Sequence, residues 1–340
     1  MKIKGFIAAS VLALSVATAG SAAETLTITT ISPPTHPMNT GMLQGLIDMM
    51  EEATGGEVTG DLKFGLAPPP AVFDLVMDGA VDMAISFHGY LPGRFVGTKL
   101  IELPGYTGNA EQASAAYWRV HEAHLAALDE HRGLKLVALT AHGPGQIHAR
   151  DPIASLDDLN GLKTRLGGGV ASDVAAELGI IGIQVPGSKV YETLESGVAD
   201  AVAMNIGERI GFNLNEVAKN VYEIPGGFYR GSFAVVMSPE AWDRLPETAR
   251  TALEDKVFGE PASRMMGAVW DAHDANGRAV SEAADDVTIR DASEADVARF
   301  AEIAARVQAK VLSELEALGV DARAAQAMIQ QEMNKLAAGG

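Results

Sequence analysis

The sequence predicts a two-lobed α/β protein with a ligand cleft between its lobes. Three observations predict it: an internal repeat, an alternation of short apolar strands with amphipathic helices, and an arginine set before a run of glycines at a strand end. In the repeat, Phe73 to Ser86 matches Tyr191 to Met204 in register. Each copy is an aromatic-led amphipathic helix that stops at a glycine (Gly79, Gly197), a natural left-handed C-cap. An aspartate (Asp82, Asp200) then precedes a short apolar strand. Two such copies far apart in one chain read as equivalent pieces of two lobes.

The elements follow in order. Met1-Lys2-Ile3-Lys4, the apolar run Phe6 to Ala19 and the small residues Gly20 to Ala23 read as a secretory signal over residues 1–23. The run is shorter than the ~20 residues a spanning helix needs, so the mature chain is expected outside the cytoplasm and not embedded in the membrane. Leu26 to Ser32 reads as the opening strand. Pro37 suits a first helical turn ahead of Met38, Met42, Leu46 and Met49 on one face. A strand near Leu62 to Phe64 leads through Pro68-Pro69-Pro70 into the first repeated helix, followed by a helix over 110–130 and a strand over Leu134–Thr140. The second lobe is predicted from Gly143, with a turn over Leu156–Leu162, strands at Lys163–Leu166, Ile183–Val185 and Ala199–Met204, and a helix over Val170–Leu178. Ser232–Met237 reads as a strand returning to the first lobe, and Pro239 opens a run of helices, including Glu294–Leu318, that continues to the C-terminus. The expected division is lobe I mostly over 24–142, lobe II mostly over 143–231, and 232–340 as the return strand plus helices buttressing both lobes. Chain crossings near 140 and 230 form the hinge, and the ligand sits at the strand ends.

Composition excludes several functions. Cleavage of the signal leaves 24 basic against 44 acidic residues, a net charge of about −20, so nucleic acid, which is held by clustered Lys and Arg, is not an expected partner. The chain has no cysteine, which removes thiolate catalysis, disulfides and Cys-ligated metals. There is no G-x-S-x-G elbow and no evident triad, so an exported hydrolase or lyase is the weaker reading and no enzymatic activity is expected. Gly167 and Gly169 lack the third glycine of a dinucleotide loop, and no cofactor is expected. His121, His124 and His131 have the wrong spacing for a zinc helix and read as a solvated helix face. Met49-Met50 and Met265-Met266 read as core filler rather than metal ligands.

Arg165 stands at the end of a predicted strand, directly before Leu166 and three glycines, Gly167 to Gly169. Glycines let a backbone approach a ligand closely and leave free amides at the next helix start, where an anion is favoured. A guanidinium fork holds a carboxylate by two parallel bonds that lysine cannot copy. A surface arginine beside a loop fits these residues equally well.

With these motifs in order, the chain resembles the solute-binding proteins of tripartite ATP-independent periplasmic (TRAP) transporters, of the DctP-like type. The resemblance spans the mature chain. It rests on Leu156 to Arg165, Gly197-Val198-Ala199-Asp200, Ser238-Pro239 with Trp242 and Leu245-Pro246, and Gly89 to Phe95 with Glu102-Leu103-Pro104. It implies a two-lobed periplasmic-binding-protein-like (type II-like) α/β fold, no catalysis, a periplasmic location and delivery of a small organic acid to membrane permease subunits. It also implies that Arg165 is the carboxylate ligand. The second arginine of many sialic-acid and dicarboxylate members is replaced here by Gly145-Gln146. The asparagine those members carry after G-x-x-D is Met204, with Asn205 one step late. These departures favour a monocarboxylate with an apolar or aromatic body, benzoate-like or a hydroxy acid. Candidate walls are His88 and Tyr90 after the first repeat's strand, Met204 and Asn205 at the second's, Gly167, and Phe228, Tyr229 and Arg230 before the return strand. Arg94 is a candidate second anion ligand, and Gln146 and His148 are candidates for ligand hydroxyls. A binding subunit of an ABC transporter or sensor kinase is the alternative partner assignment.

Overall fold

A computed structural model describes residues 23–339, so the signal read at 1–23 lies outside the described residues but for Ala23. Two sheets form the frame. The first contains β1 (Glu24–Thr29), β2 (Val58–Lys63), β3 (Met83–Phe87), β4 (Lys135–Ala141) and β10 (Ser232–Met237), in the order β2-β1-β3-β10-β4. The second contains β5 (Gly145–Ala149), β6 (Lys163–Leu166), β7 (Ile181–Gln184), β8 (Ala201–Asn205), β9 (Asn220–Glu223) and β11 (Thr288–Asp291), in the order β11-β9-β5-β8-β6-β7. Read from its other edge, the second sheet repeats the first: two parallel neighbours, then the repeat strand, then one antiparallel strand. β3 and β8 occupy the same place in the two sheets. This is the origin of the sequence echo, and Gly79 and Gly197 take the same left-handed φ, +68° and +72°.

The chain crosses between the sheets after β4, again between β9 and β10, and a third time between β10 and β11. Three expectations are corrected. β5 and β9 were not read from the sequence, because each is short and its polar residues are satisfied only by tertiary partners. The C-terminal region is not all helical, since β11 pairs parallel to β9 and extends the second sheet. The stretch predicted as one helix over 110–130 is α-helical only over Ala110–Val120 and then passes into a π turn and a 3₁₀ turn ending at Asp129, a left-handed residue.

The core forms because strand residues on both faces are apolar: β3, β8 and β10 are buried along their whole length. Met42, Leu46, Met50 and Met266 fill the first lobe beside Trp270, in line with the core-filler reading. No helix among the described residues is long and apolar enough to cross a membrane.

The helix Glu260–Glu282 ties the lobes together. It packs on β4 and the helix Ala110–Val120 at one end and on β11 and the helix Glu208–Gly211 at the other. Two glycines permit both crossings: a Cβ on Gly267 would lie 2.5 Å from the Ala110 carbonyl oxygen, and one on Gly277 would lie 2.5 Å from that of Ile206. Between them, Asp271 accepts hydrogen bonds from the Ala110 and Glu111 amides (2.7 and 3.0 Å), and Asp274 accepts from the Gly207 amide (2.8 Å) and the Asn205 side chain (2.6 Å). One helix therefore caps an element of each lobe. Gly267→Ala gains helix propensity but forces backbone from backbone, and overpacking of that kind costs ~1–3 kcal/mol; thermal or urea unfolding should show a net loss of stability.

Candidate functional site

The parallel strands β1, β3, β6 and β8 end at the same crevice, the place where open α/β sheets bind ligands. A cavity with about 360 Å³ of empty space lies there, lined by Phe87, Tyr90, His142, Arg165, Gly167, Met204, Asn205, Glu208, Tyr229 and Phe233. A contiguous recess shares Tyr90, Met204, Glu208 and Phe233 with it and adds His36, Phe212 and Trp270.

Arg165 is the cation of this cavity. It is 2% exposed, on β6, and its Nε donates to the Val185 carbonyl at 2.8 Å, which orients the guanidinium plane. Among the described residues no carboxylate lies within ion-pair distance of it, although this structure holds many surface pairs. A buried guanidinium without a counter-charge is costly unless an anion joins it. Around it the walls are aromatic: Phe87 stands edge-on to Tyr90 at 5.0 Å and against Phe233 at 5.2 Å, and Tyr229 is edge-on to His142 at 5.3 Å. Tyr229 is fixed because its hydroxyl donates to the Ala203 carbonyl (3.0 Å).

The lobes are closed on each other. The Tyr90 hydroxyl accepts the Gly187 amide at 2.8 Å, His36 meets Glu208 at 2.9 Å, and Lys99 reaches Asp173 at 3.3 Å. Gly168 (φ +107°) passes so near the first lobe that a Cβ would sit 2.2 Å from the Gly89 carbonyl oxygen. The amides expected to be free at the start of the helix Val170–Glu177 are not all free: the Val170 N–H donates to Glu102 Oε2 at 2.8 Å. The anion at that helix start is thus a carboxylate from the other lobe. Glu102 Oε1 accepts from Ser232 at 2.6 Å, so this one side chain joins first lobe, hinge strand and second lobe.

Of the residues singled out from sequence, the structure brings Arg165, Gly167, Tyr90, Met204, Asn205 and Tyr229 together around the cavity. It does not bring six others there. His88 turns away, with Nδ1 on Ser232 and Nε2 on His131, both at 3.0 Å. Gln146 spends its amide on both backbone groups of Ile224, a neighbour across the sheet edge. Phe228 is buried against Phe300, ring centroids 4.9 Å apart; its chain neighbour Tyr229 faces the cavity because alternate residues of an extended segment point to opposite sides. Arg94 lies over the Phe95 ring, 5.2 Å from its centroid. His148 holds the Met204 carbonyl and faces the Arg209 guanidinium, and Arg230 donates to the carbonyls of His142 and Gly108. The solvated-face reading fails for His131, which is buried beside His88. Residues missed altogether are Phe87, His142, Phe233, Glu208 and His36. Only Phe87 carried a signal, as the repeat partner of Asn205.

His36, Glu208 and His273 place three ligand atoms within 4.8 Å of one another, all buried. The Met38 amide donates to His36 Nδ1 at 3.1 Å, so the ring proton sits on Nε2 and is given to Glu208. A metal would need that nitrogen bare, so the geometry is that of a hydrogen-bonded cluster.

A two-lobed α/β protein closed over a buried guanidinium without a counter-charge at hand is the architecture of a solute-binding protein. The sequence signature described as Bacterial extracellular solute-binding protein, family 7 (DctP) matches residues 28–315, and the chain belongs to that family. Among solved structures it is similar to a TRAP periplasmic solute-binding protein from Bordetella bronchiseptica with bound (R)- and (S)-mandelate, at 34% identity and TM-score 0.89, over 92% of this chain and 99% of that one. It is also similar to a TRAP solute-binding protein from Rhodoferax ferrireducens in complex with copurified benzoate, at 27% identity and TM-score 0.84, over 92% and 98%. A relative from Comamonas testosteroni, named Outer membrane transporter protein TsaT, is 28% identical over 71% of this chain and 72% of its own length.

Burial pushes the Glu102 carboxyl up to about 7, against the opposing hydrogen bonds from Ser232 and Val170. Between the ordinary glutamate value of about 4.3 and that value, the folded protein binds more protons than the unfolded chain, so stability falls as pH rises through that window. Unfolding from pH 4.5 to 7.5 should show a decline of order 3 kcal/mol from this group, and Glu102→Gln should flatten that component.

Proposed function

We propose that this protein captures an aromatic or hydroxy monocarboxylate in the periplasm, after export through the signal at 1–23, and delivers it to TRAP permease subunits without transforming it. The observation that carries the reading is Arg165, buried in an aromatic-walled cavity with no carboxylate among the described residues within ion-pair distance of it. The ligand supplies the missing charge through a two-bond carboxylate fork, and Phe87, Tyr90, Tyr229, Phe233 and Met204 cover its body. Among the described residues Arg165 is the only Arg or Lys lining the cavity, which suits one carboxylate better than two. The similar proteins from Bordetella and Rhodoferax hold mandelate and benzoate, acids of this class.

Thermal-shift and calorimetric titration with benzoate, phenylacetate, mandelate, succinate and glucose tests the proposal. The aromatic acids should raise the melting point, by the equivalent of about 2.7 kcal/mol at a hundredfold excess over Kd; stabilisation by sugar or succinate alone would overturn it. Arg165→Ala should fold and lose more than about 100-fold in affinity, since stranding a buried carboxylate costs ~3–5 kcal/mol. Arg165→Lys should recover little of it, because an ammonium cannot form the fork.

A further inference from the structure

Beyond Arg165, the polar atoms turned to the cavity are mostly acceptors. The Asn205 amide nitrogen donates one hydrogen to Asp274 at 2.6 Å, which leaves Oδ1 as an open acceptor beside the second N–H. His142 Nδ1 lies 2.6 Å from the Gly143 carbonyl, to which it can only donate, so Nε2 is left as an acceptor on a ring that burial keeps uncharged, its pKa pushed down to about 4. Glu208 is 3% exposed and lines both the cavity and its recess. Its Oε2 is committed to the Nε2–H of His36 at 2.9 Å, and His273 Nε2 stands 3.9 Å from the same oxygen. No described residue donates to Oε1, and this atom is not among the sealed, unpartnered buried atoms.

Burial alone would raise the Glu208 carboxyl, but His36 and His273 together hold it well below the usual range, so it remains an anion. A carboxylate with one lone-pair face already tied down and the other open to an apolar cavity is an incomplete hydrogen-bonding group, costly until a donor meets it. The ligand's own carboxylate belongs at Arg165 and can only be repelled by Glu208. What completes the cavity is a second ligand group that donates.

We propose that Glu208, positioned by His36, is a specificity residue that accepts a hydrogen bond from a hydroxyl of the bound acid, so that the protein prefers hydroxylated aromatic carboxylates to their unsubstituted parents. This rests on the carboxylate-binding reading of Arg165 and narrows it. The mandelate held by the similar Bordetella protein carries such a hydroxyl.

The test is a calorimetric series on the full mature protein: phenylacetate as parent, mandelate with an α-hydroxyl, 3-hydroxyphenylacetate with a ring hydroxyl, O-methylmandelate with the donor blocked, and phenylglycine with an ammonium in its place. A hydrogen bond to a charged acceptor is worth about 10- to 100-fold in affinity. At least one hydroxy acid should exceed phenylacetate by that factor, and O-methylation should abolish the α-hydroxyl's share. In Glu208→Gln, His36 keeps the amide oxygen and a neutral N–H replaces the charged acceptor, so the ratio of hydroxy acid to phenylacetate should fall and O-methylation should no longer weaken mandelate. A general loss of closure would weaken all the acids alike and leave their ratios unchanged. Equal wild-type binding of phenylacetate and both hydroxy acids would overturn the subsite, as would a hydroxy-acid preference undiminished in Glu208→Gln, and tighter binding of phenylglycine would overturn the hydroxyl as its donor. If none of the acids binds, it is the Arg165 reading that fails; the wild-type ligand series stands even if the variant does not fold.

Discussion

The constraint on which the rest depends is the cost of holding the Arg165 guanidinium out of water without a partner. The Val185 carbonyl orients one edge of the group but supplies no charge. The surrounding walls are mainly aromatic rings packed at 5.0 to 5.3 Å, and the one carboxylate among them, Glu208, is outside ion-pair distance of the guanidinium and held by His36. Such a site is stable chiefly when filled, which is the thermodynamic definition of a receptor: ligand and closure favour each other because each lowers the cost of the other.

Closure itself is managed by groups that do not line the cavity. Glu102 carries a carboxylate from the first lobe to the helix start of the second, where the dipole and the Val170 amide favour it, and leans on Ser232 of the hinge strand. The three glycines after Arg165 are therefore not only for a ligand: Gly168 and Gly169 make room for the Gly89 backbone and the Glu102 carboxylate of the opposing lobe. The helix Glu260–Glu282 supplies the stationary part, since Asp271 and Asp274, one turn apart, cap one element in each lobe. Asp274 also fixes the Asn205 amide, so the strut that joins the lobes sets the polarity of one cavity wall.

Much of the frame was legible in the sequence, and for physical reasons. β10 is legible as an apolar run and β6 as a short segment bracketed by the turn at Gly161 and the glycines from Gly167, and the echo between Phe73–Ser86 and Tyr191–Met204 corresponds to β3 and β8 in equivalent positions of two sheets. Arg165 stood out because strand, arginine and glycine run are contiguous in the chain. Of the three candidates Phe228, Tyr229 and Arg230, only Tyr229 lines the cavity, because alternate residues of an extended segment face opposite sides.

The sequence by itself determined the paired α/β units, their order and the cation at a strand tip, because these are set by local periodicity, capping and neighbouring residues. Only the tertiary structure decided that Glu208 and His36, 172 positions apart, share the cavity with Arg165, that Glu102 takes the helix start, and that His88, Gln146, Phe228 and Arg94 serve other partners. Such pairings arise when two lobes close, and no local pattern encodes which side chains will then face one another.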